Sequence, residues 1–475
     1  MAVYYIDPIN GLDSNGVGTE SAPRKTFPTS GADGDVYRLK RGTTYTATNQ
    51  LYYWNRQGVV ITDYGNPAAP KPKIDVLMAT GTSALNFTGD TILHNLEFSR
   101  VQRDANQTTD SNVGPNCLLF APRGGAASGT VEGVSGVVIN CDFRDIGNNA
   151  IVYNGISSEA DIAFASPLGI VLGCSFDSIG SDGVDGALKT YGEVGWCTFT
   201  NMGNRIDPGV ADPGNGIRRG SSDCVNWLHS VPAYSWIHDN YMDHSHWDCK
   251  HSVIADGAPS QANNLVLVER NIMIGYGSPI NGPFIQSRNN VGVNTQHAII
   301  LRQNYIRGSR ILFNSDAQTP WADIYSNIFE VTGTDNGSAS ISCYGDNHTF
   351  RNNTVRARNK VNTTAVAKTS GADKFAAYRN VITGHSVGFS LSNPVQASYG
   401  QNAFYDVDTP YVNGATPLAT GAGDIIGTQD DVRNSRFTPS DARLLFSSVD
   451  KRVPDFWGRF ASEGIAHIGA TIDAF

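Results

Sequence analysis

The sequence lacks the long apolar runs that cross membranes and the excess of positive charge that nucleic acid requires. None of its 475 residues falls in a run of about 18 apolar residues, so no membrane span is expected. Lys and Arg number 35 against 44 Asp and Glu, and the net charge of −9 argues against nucleic acid as a partner. The opening MAVYYIDPING has no basic segment followed by an apolar one, so no signal peptide is expected.

Cysteine and histidine are also scarce, and their spacing does not predict a metal centre. Seven Cys residues, an odd number without a CxxC pair, indicate neither a disulfide framework nor a zinc site. Five of the ten histidines nevertheless fall between positions 229 and 251, which marks this stretch as a candidate functional region. They are His229, His238, His244, His246 and His251.

What the chain does contain is a short repeated pattern, in which apolar residues precede a Cys or Asn marker and another apolar residue follows it. The shortest spacings between markers are 22 to 27 residues, almost without helical patterning. Such a period predicts an all-β solenoid in which each coil adds one rung to parallel sheets. The markers are Cys141, Cys174, Cys197, Asn240, Asn271, Asn304, Asn327, Asn353, Asn380 and Asn402, with a weaker copy at Asn95.

The repeated Asn has a physical explanation within a solenoid. Stacked amides can hydrogen-bond to one another along the axis while tolerating the left-handed backbone conformation of a turn. The three Cys markers occupy the same position in earlier coils, where a small buried thiol would fill it. We therefore interpret these markers as structural, and we expect ten to twelve coils.

Two stretches near the ends resemble a known group of proteins. YYIDPINGLDSNGVGTESAPRKTF and GDVYRLKRGTTYT resemble the N-terminal cap and first coil of right-handed parallel β-helix proteins of the pectate-lyase-like superfamily, and IAHIGATIDAF resembles their last strand. That group includes polysaccharide lyases, glycoside hydrolases and bacteriophage tailspike depolymerases. The resemblance implies a single-stranded right-handed parallel β-helix, with a cap and first coil at 1–45, a body at 46–475 and final coils at 400–475. It also implies a homotrimer and an extracellular or virion (phage tail) location.

The candidate active-site loops lie within 180–256. The longest marker spacing, from Cys197 to Asn240, predicts the largest inserted loop, and acidic or histidine-rich stretches flank it at 181–193 and 244–252. Because consecutive rungs stack about 4.8 Å apart, side chains from these three stretches would pool in one groove.

The favoured interpretation of this groove is a lyase that binds and cleaves an acidic polysaccharide or oligosaccharide. In β-elimination a base removes the proton next to a carboxylate, whose charge a cation neutralises. Lys250 or His246 would be the base, beside Asp248 on one strand face, and Arg218 or Arg219 the neutralising cation. GNGIRRGSS at 214–222 and the later DCKHS resemble motifs of the alginate and chondroitin lyase family. That resemblance implies Lys250 as the base and Asn215 as a ligand of calcium, the only cofactor expected.

Two further interpretations stay open. A glycoside hydrolase would use paired carboxylates about 5–5.5 Å apart for retention or about 6.5–9.5 Å apart for inversion, and Asp182, Asp185 and Glu193 are its candidates, with Asp207 or Asp248 across the groove. A non-catalytic receptor-binding fibre would only hold the glycan. In each case the expected substrate-binding residues, which include aromatic faces suited to sugar rings, are Trp227, Trp247, Lys189, Tyr191 and His251.

Overall fold

In the part of the chain that the structure describes, nearly all of the regular structure is β-strand, with one 3₁₀ turn at Pro394–Gln396. The structure is a computed structural model that describes residues 1–14, 18–26, 31–47, 52–54, 56–76, 83–101, 116–121, 133–153, 165–203, 223–227, 232–244, 251–256, 264–275, 284–288, 297–308, 312–315, 321–332, 339–345, 347–369, 374–427, 445–446 and 466–467. No helix in these ranges is long and apolar enough to span a membrane.

The chain divides into two compact units, of which the first comprises Met1–Tyr234 and Trp247–Cys249 and the second Ser235–His246 and Lys250–Phe475. In the first unit each coil contributes three short strands to three columns of parallel strands. The first column has the order β1-β2-β5-β8-β11-β14-β17, the second β3-β6-β9-β12-β15-β18 and the third β4-β7-β10-β13-β16-β19. The strands are β1 (Val3–Ile6), β2 (Val36–Lys40), β3 (Thr44–Ala47), β4 (Tyr52–Trp54), β5 (Val59–Tyr64), β6 (Lys73–Val76), β7 (Ser83–Phe87), β8 (Thr91–His94), β9 (Glu97–Val101), β10 (Asn116–Phe120), β11 (Gly136–Ile139), β12 (Asp142–Ile146), β13 (Ile151–Tyr153), β14 (Ser166–Leu172), β15 (Ser175–Ile179), β16 (Val184–Gly186), β17 (Leu188–Gly195), β18 (Thr198–Thr200) and β19 (Asp223–Trp227).

The second unit repeats this arrangement. Its first column has the order β20-β23-β26-β29-β32-β34-β36, and the long strands β33 and β35 each take part in both of the other columns. The strands are β20 (Tyr234–His238), β21 (Tyr241–His244), β22 (His251–Asp256), β23 (Asn264–Glu269), β24 (Ile272–Gly275), β25 (Ile285–Arg288), β26 (His297–Arg302), β27 (Tyr305–Gly308), β28 (Phe313–Ser315), β29 (Trp321–Tyr325), β30 (Ile328–Val331), β31 (Ile341–Cys343), β32 (Asn347–Arg351), β33 (Thr354–Lys368), β34 (Phe375–Tyr378), β35 (Val381–Leu391), β36 (Ala397–Gly400), β37 (Ala403–Tyr405), β38 (Thr409–Asn413), β39 (Thr416–Pro417), β40 (Ile425–Gly427), β41 (Leu445–Phe446) and β42 (Ala466–His467).

These parallel columns confirm the parallel β-helix that the marker spacing predicts. The right-handed sense is the one that crossovers between parallel strands adopt in nearly all proteins. Among the described residues, the first column contains seven strands in each unit. The coils beyond the predicted ten to twelve lie in the N-terminal part of the chain. There β1, β2 and β5 are not followed by a Cys or Asn marker, so a count of markers does not include them.

The core of the first unit is built from identical side chains stacked at register-paired positions. Phe98, Phe143, Phe176 and Phe199 form a continuous stack, with ring centroids 5.2, 5.0 and 4.5 Å apart. Each ring is nearly parallel to the next, as the rung spacing of a parallel sheet imposes. All four side chains are buried, so the stack anchors the second column of strands.

The predicted Asn ladder is present in the second unit, and its amides are fully buried. The backbone N–H and side-chain Nδ2 of Asn271 both donate to Oδ1 of Asn304, at 3.0 Å each, and Asn304 repeats this with Asn327. The same contacts continue through Asn353 and Asn380 to Asn402. Asp424 ends the ladder by accepting a hydrogen bond from the backbone N–H of Asn402 at 2.8 Å.

The Cys markers form the corresponding ladder of the first unit. The backbone N–H of Cys141 donates to Sγ of Cys174, and that of Cys174 donates to Sγ of Cys197, at 3.4 Å each. None of the six cysteines in the described ranges forms a disulfide, and all six are buried. Burial raises the pKa of the Cys141 and Cys197 thiols, which keeps them protonated and structural.

The left-handed conformation lies one residue before the expected position. In the second unit it falls on Asp239, Arg270, Gln303 and their equivalents, with φ of 54°, 54° and 57°, and not on the ladder Asn that follows. Asn95 is itself such a turn residue, with φ 59°, and its neighbour Leu96 fills the ladder position. The prediction that the ladder Asn adopts the left-handed conformation was therefore wrong, because its side chain is needed inside the core.

Candidate active site

The acidic stretch SDGVDG of the first unit folds as a tight turn followed by β16. Gly180 approaches the preceding coil so closely that a Cβ would lie 2.4 Å from the carbonyl oxygen of Gly147, and a Cβ at Gly183 would lie 2.8 Å from that of Cys224. Only glycine permits both contacts. The two glycines therefore let the turn pack closely against the adjacent coils, which places the carboxyl groups of Asp182 and Asp185 next to residues of those coils.

Asp182 belongs to a second polar ladder, between the second and third columns of strands. Its backbone N–H donates to Oδ1 of Asn149 at 3.0 Å, and its own Oδ1 accepts from the backbone N–H of Asp223 at 2.8 Å. Asn226 Nδ2 donates to its Oδ2 at 3.4 Å. Asp182 is 6% exposed and Asp223 is fully buried, so this ladder places two carboxyl groups on adjacent coils away from water.

Asp185 is the more accessible carboxyl of this cluster. It lies on β16, where Val152 of β13 and Asn226 of β19 are its register partners on the two sides. The Nδ2 of Asn149 donates to its Oδ2 at 2.9 Å. Its Oδ1 is buried and has no hydrogen-bond partner among the described residues, although the residue as a whole is partly exposed.

Burial and mutual repulsion shift the acidity of both groups in the same direction. Burial raises the pKa of Asp185 to about 7, and the negative charge of Asp223 adds to the shift. The pKa of Asp182 lies well above its usual range, because of burial first and of the Asp223 and Asp185 charges second. A carboxyl whose pKa lies near 7 can act as an acid near neutral pH, and Asp185 has the access to do so.

Glu193 and Tyr191 lie on another column, on the outward side of β17. The hydroxyl of Tyr191 donates to Oε2 of Glu193 at 2.8 Å, and the Tyr191 ring stacks on Tyr234 at 5.9 Å. Burial, together with the Glu193 carboxylate, raises the pKa of Tyr191. Lys189 is exposed on the same strand. Asp223 is the charged group that shifts the pKa of Asp185, and Glu193 stays a predicted candidate for a catalytic carboxylate on this separate column.

Two of the expected substrate-binding side chains lie inside the protein. Trp227, at the end of β19, is completely buried, and a Cβ at Gly192 would lie 3.3 Å from its ring. It therefore packs in the core and has no free face for a sugar, which corrects the expectation. His251, the first residue of β22 in the second unit, is also buried.

The remaining predicted site residues lie outside the described residues. They are the proposed base Lys250 with His246 and Asp248, the cations Arg218 and Arg219, the aromatic Trp247 and the calcium ligand Asn215. No group of three or more His, Cys, Asp or Glu side chains suited to a metal ion occurs in the ranges that the structure describes.

Two residues of the cluster, Asn149 and Asn226, were missed by the sequence interpretation, and Asp223 was noted in the inserted loop without a role. A signal for one of them was present, because Asn149 and Asp182 are 33 residues apart, as are the markers Cys141 and Cys174. Equal spacing means equal position in adjacent coils. Asp223 and Asn226 follow the inserted segment, which breaks that period and hides their alignment with Asp182 and Asp185.

No family model and no curated protein matches the sequence. Among solved structures, the complex of XylC with xylose is similar over 99% of this chain and 98% of that one, at 10% identity and a TM-score of 0.48. A GH136 lacto-N-biosidase from Eubacterium ramulus, at 16% identity and a TM-score of 0.43, covers 69% of this chain, which spans 64% of the lacto-N-biosidase. A mannuronic acid specific polysaccharide family 6 lyase from human gut microbiota shares 14% identity over 90% of this chain and 87% of its own, with a TM-score of 0.41. At such identities the likeness concerns the fold alone.

Proposed function

We propose that the protein is a carbohydrate-active enzyme that hydrolyses glycosidic bonds of a polysaccharide, with Asp185 as the general acid. The observation that carries the proposal is a partly exposed carboxyl whose pKa is raised to about 7 within a cluster of three carboxyls. A general acid must still hold its proton at the working pH, and it transfers that proton best when its pKa lies near that pH.

In this reaction the Asp185 carboxyl gives its proton to the glycosidic oxygen, and the bond from that oxygen to the anomeric carbon breaks with its electron pair left on the oxygen. Water adds to the anomeric carbon and loses a proton to a base. Asp223 raises the proton affinity of the acid, and Asn149 fixes its Oδ2 through the 2.9 Å hydrogen bond. Asp182 and Asp223 are too deeply buried to touch a sugar. The predicted candidates for the second carboxylate, Asp207 and Asp248, lie outside the described residues.

The lyase interpretation makes a different demand on the chain. It places the base at Lys250 and the neutralising cation at Arg218 or Arg219, and it requires an acidic sugar. These roles stay predictions, as do calcium binding through Asn215, the homotrimer, the extracellular or virion location and the non-catalytic fibre. The cluster around Asp185 supports hydrolysis as far as it supplies a proton donor near neutral pH for the departing glycosidic oxygen, a step that β-elimination shares, so the products formed have to separate the two reactions.

Incubation with neutral polysaccharides and with uronate polymers tests the proposal. Reducing ends without absorbance from unsaturated products indicate hydrolysis, and unsaturated ends indicate β-elimination.

We expect Asp185→Asn to lower the rate of hydrolysis about 10²–10⁴-fold, the usual contribution of a general acid. Asp177→Asn is a matched control, since Asp177 accepts a 2.7 Å hydrogen bond from Asn201 on the second column. Unsaturated products that disappear in Lys250→Ala and persist in Asp185→Asn would contradict the proposal.

A further inference from the structure

Two buried acceptor atoms at register-paired positions lack a donor among the described residues. They are Oδ1 of Asp185 and Oδ1 of Asn226. The two residues pair directly across β16 and β19, so their side chains leave the same face of adjacent strands. Both atoms are withdrawn from water, and buried polar atoms in proteins nearly always have a hydrogen-bond partner.

The other polar atoms around them form a chain of hydrogen bonds with one gap. Asn149 Nδ2 donates to Oδ2 of Asp185 at 2.9 Å. Asn226 Nδ2 donates to Oδ2 of Asp182 at 3.4 Å, and the backbone N–H of Asp182 donates back to Oδ1 of Asn149 at 3.0 Å. The chain returns to its starting residue except between Asp185 and Asn226, the register-paired residues that carry the two unpartnered acceptors.

We propose that Asp185 carries its proton on Oδ1 and donates it to Oδ1 of Asn226, which makes Asn226 the residue that positions the proton of the acid. One proton closes the ring and gives a partner to both orphaned atoms, whereas an ionised Asp185 would leave both unsatisfied. The catalytic meaning of this arrangement rests on the function proposed above, in which the carboxyl has to rotate and bring this proton from its buried position to the sugar, but the hydrogen bond itself does not rest on that function.

The charges that face this pair act in the same direction. Asp223 of β19 and Asp182 of the preceding turn present carboxyl groups, and Val152, opposite Asp185 on β13, is apolar. A negative charge on Asp185 beside the carboxyl groups of Asp182 and Asp223 is unfavourable, so the neutral form of Asp185 is the stable one. Burial and the Asp223 charge accordingly raise the pKa of Asp185.

Loss of the acceptor should weaken the hold on the proton. A hydrogen bond to the neutral acid favours protonation, and its removal is expected to lower the proton affinity of Asp185 about tenfold, or one pKa unit. As a positioning residue, Asn226 should change the pH at which Asp185 titrates, and not only the amount of folded protein.

Infrared spectroscopy of the full chain tests the proposal without a substrate. The difference spectrum between the wild type and Asp185→Asn should show the C=O stretch of one protonated carboxylic acid at pH 5, and this band should vanish as the pH passes about 7. In Asn226→Ala the band should move to higher frequency, because the acid has lost its acceptor, and its titration should fall by about one unit. Asn226→Val, with a side chain suited to a strand, repeats the frequency test if the alanine variant does not fold.

Asn86→Ala is the control, because Asn86 also has a buried and unpartnered Oδ1 but pairs with Leu119 on β10. It should leave the band unchanged. Absence of the band in the wild type, or a band that neither Asn226 variant shifts, overturns the inference. If the band behaves as expected but Asp185→Asn hydrolyses glycan at the wild-type rate, the hydrogen-bonded ring stands and the proposed function fails. If Asp185 is essential for hydrolysis but no band is found, the proposed function stands and the hydrogen-bonded ring fails.

Discussion

Replacement of one ladder asparagine should lower the free energy of unfolding of the second unit several times more than the loss of an exposed hydrogen bond would. Asn304 is fully buried, and its Oδ1 accepts from both the backbone N–H and the Nδ2 of Asn271. Its Nδ2 donates to the carbonyl of Val268 at 2.9 Å and to Asn327. In Asn304→Ala, the buried backbone N–H of Asn271 loses its acceptor and the carbonyl of Val268 loses the donor Nδ2.

Each orphaned group costs about 1–3 kcal/mol, so we expect Asn304→Ala to lower the free energy of unfolding by about 4 kcal/mol. Asn304→Cys should cost less, because a thiol occupies the equivalent position at Cys174 and accepts the same backbone N–H. The measurement is urea unfolding followed by tryptophan fluorescence, with the midpoint and slope compared. Asn362→Ala is the control, since Asn362 is exposed and accepts one hydrogen bond from Ser386. An Asn304→Ala midpoint equal to that of the control would refute the reasoning.

Three other predictions concern stability. The pKa of Asp185 is about 7 in the folded chain and near 3.8 in the unfolded chain, so the unfolded chain loses this proton first as the pH rises. The free energy of unfolding should therefore fall between these two pH values, by up to about 4 kcal/mol before solvent screening. Thermal melts at several pH values measure this slope, which Asp185→Asn should flatten. Glu269 is 1% exposed and accepts hydrogen bonds from Arg302, Arg270 and Trp236. Glu269→Gln should lower the free energy of unfolding by about 2–3 kcal/mol, less than is usual for a buried ion pair, because both arginines are one-third exposed. Urea unfolding measures this loss, and an unchanged midpoint would contradict it. Trp196 has φ 54° and is 58% exposed. Trp196→Asn should be more stable than Trp196→Ala by about 1 kcal/mol in thermal melts, because both variants lose the contacts of the ring but only Asn tolerates the left-handed conformation; equal stabilities would contradict this.

The sequence predicted the solenoid because its period is carried by residues with a structural task. Asn271, Asn304 and Asn327 recur because a buried amide can satisfy two coils at once, and this requirement is visible as a fixed spacing. The position of the left-handed residue was not predictable in the same way. Arg270 and Gln303 occupy it as readily as Asn140 does, so residue type gives no signal there.

The candidate site was predicted only in part, for a physical reason. Asp182 and Asp185 stand out in a glycine-rich turn, but their burial depends on the neighbouring coils and not on local sequence. Alternation of inward and outward residues also fails in β19, where all five residues are buried, so Trp227 and Asn226 could not be assigned to a face. The spacing of Asn149 from Asp182 was the one available clue to the cluster.

The pH dependence of glycan hydrolysis by the wild type and by Asp185→Asn tests the central claim most directly. If Asp185 is the general acid, kcat/KM of the wild type should fall on the alkaline side of about pH 7, where the carboxyl loses its proton. Asp185→Asn should be at least about 100-fold slower and should lack this limb. Wild-type rates in Asp185→Asn, with the alkaline limb in place, would contradict the account.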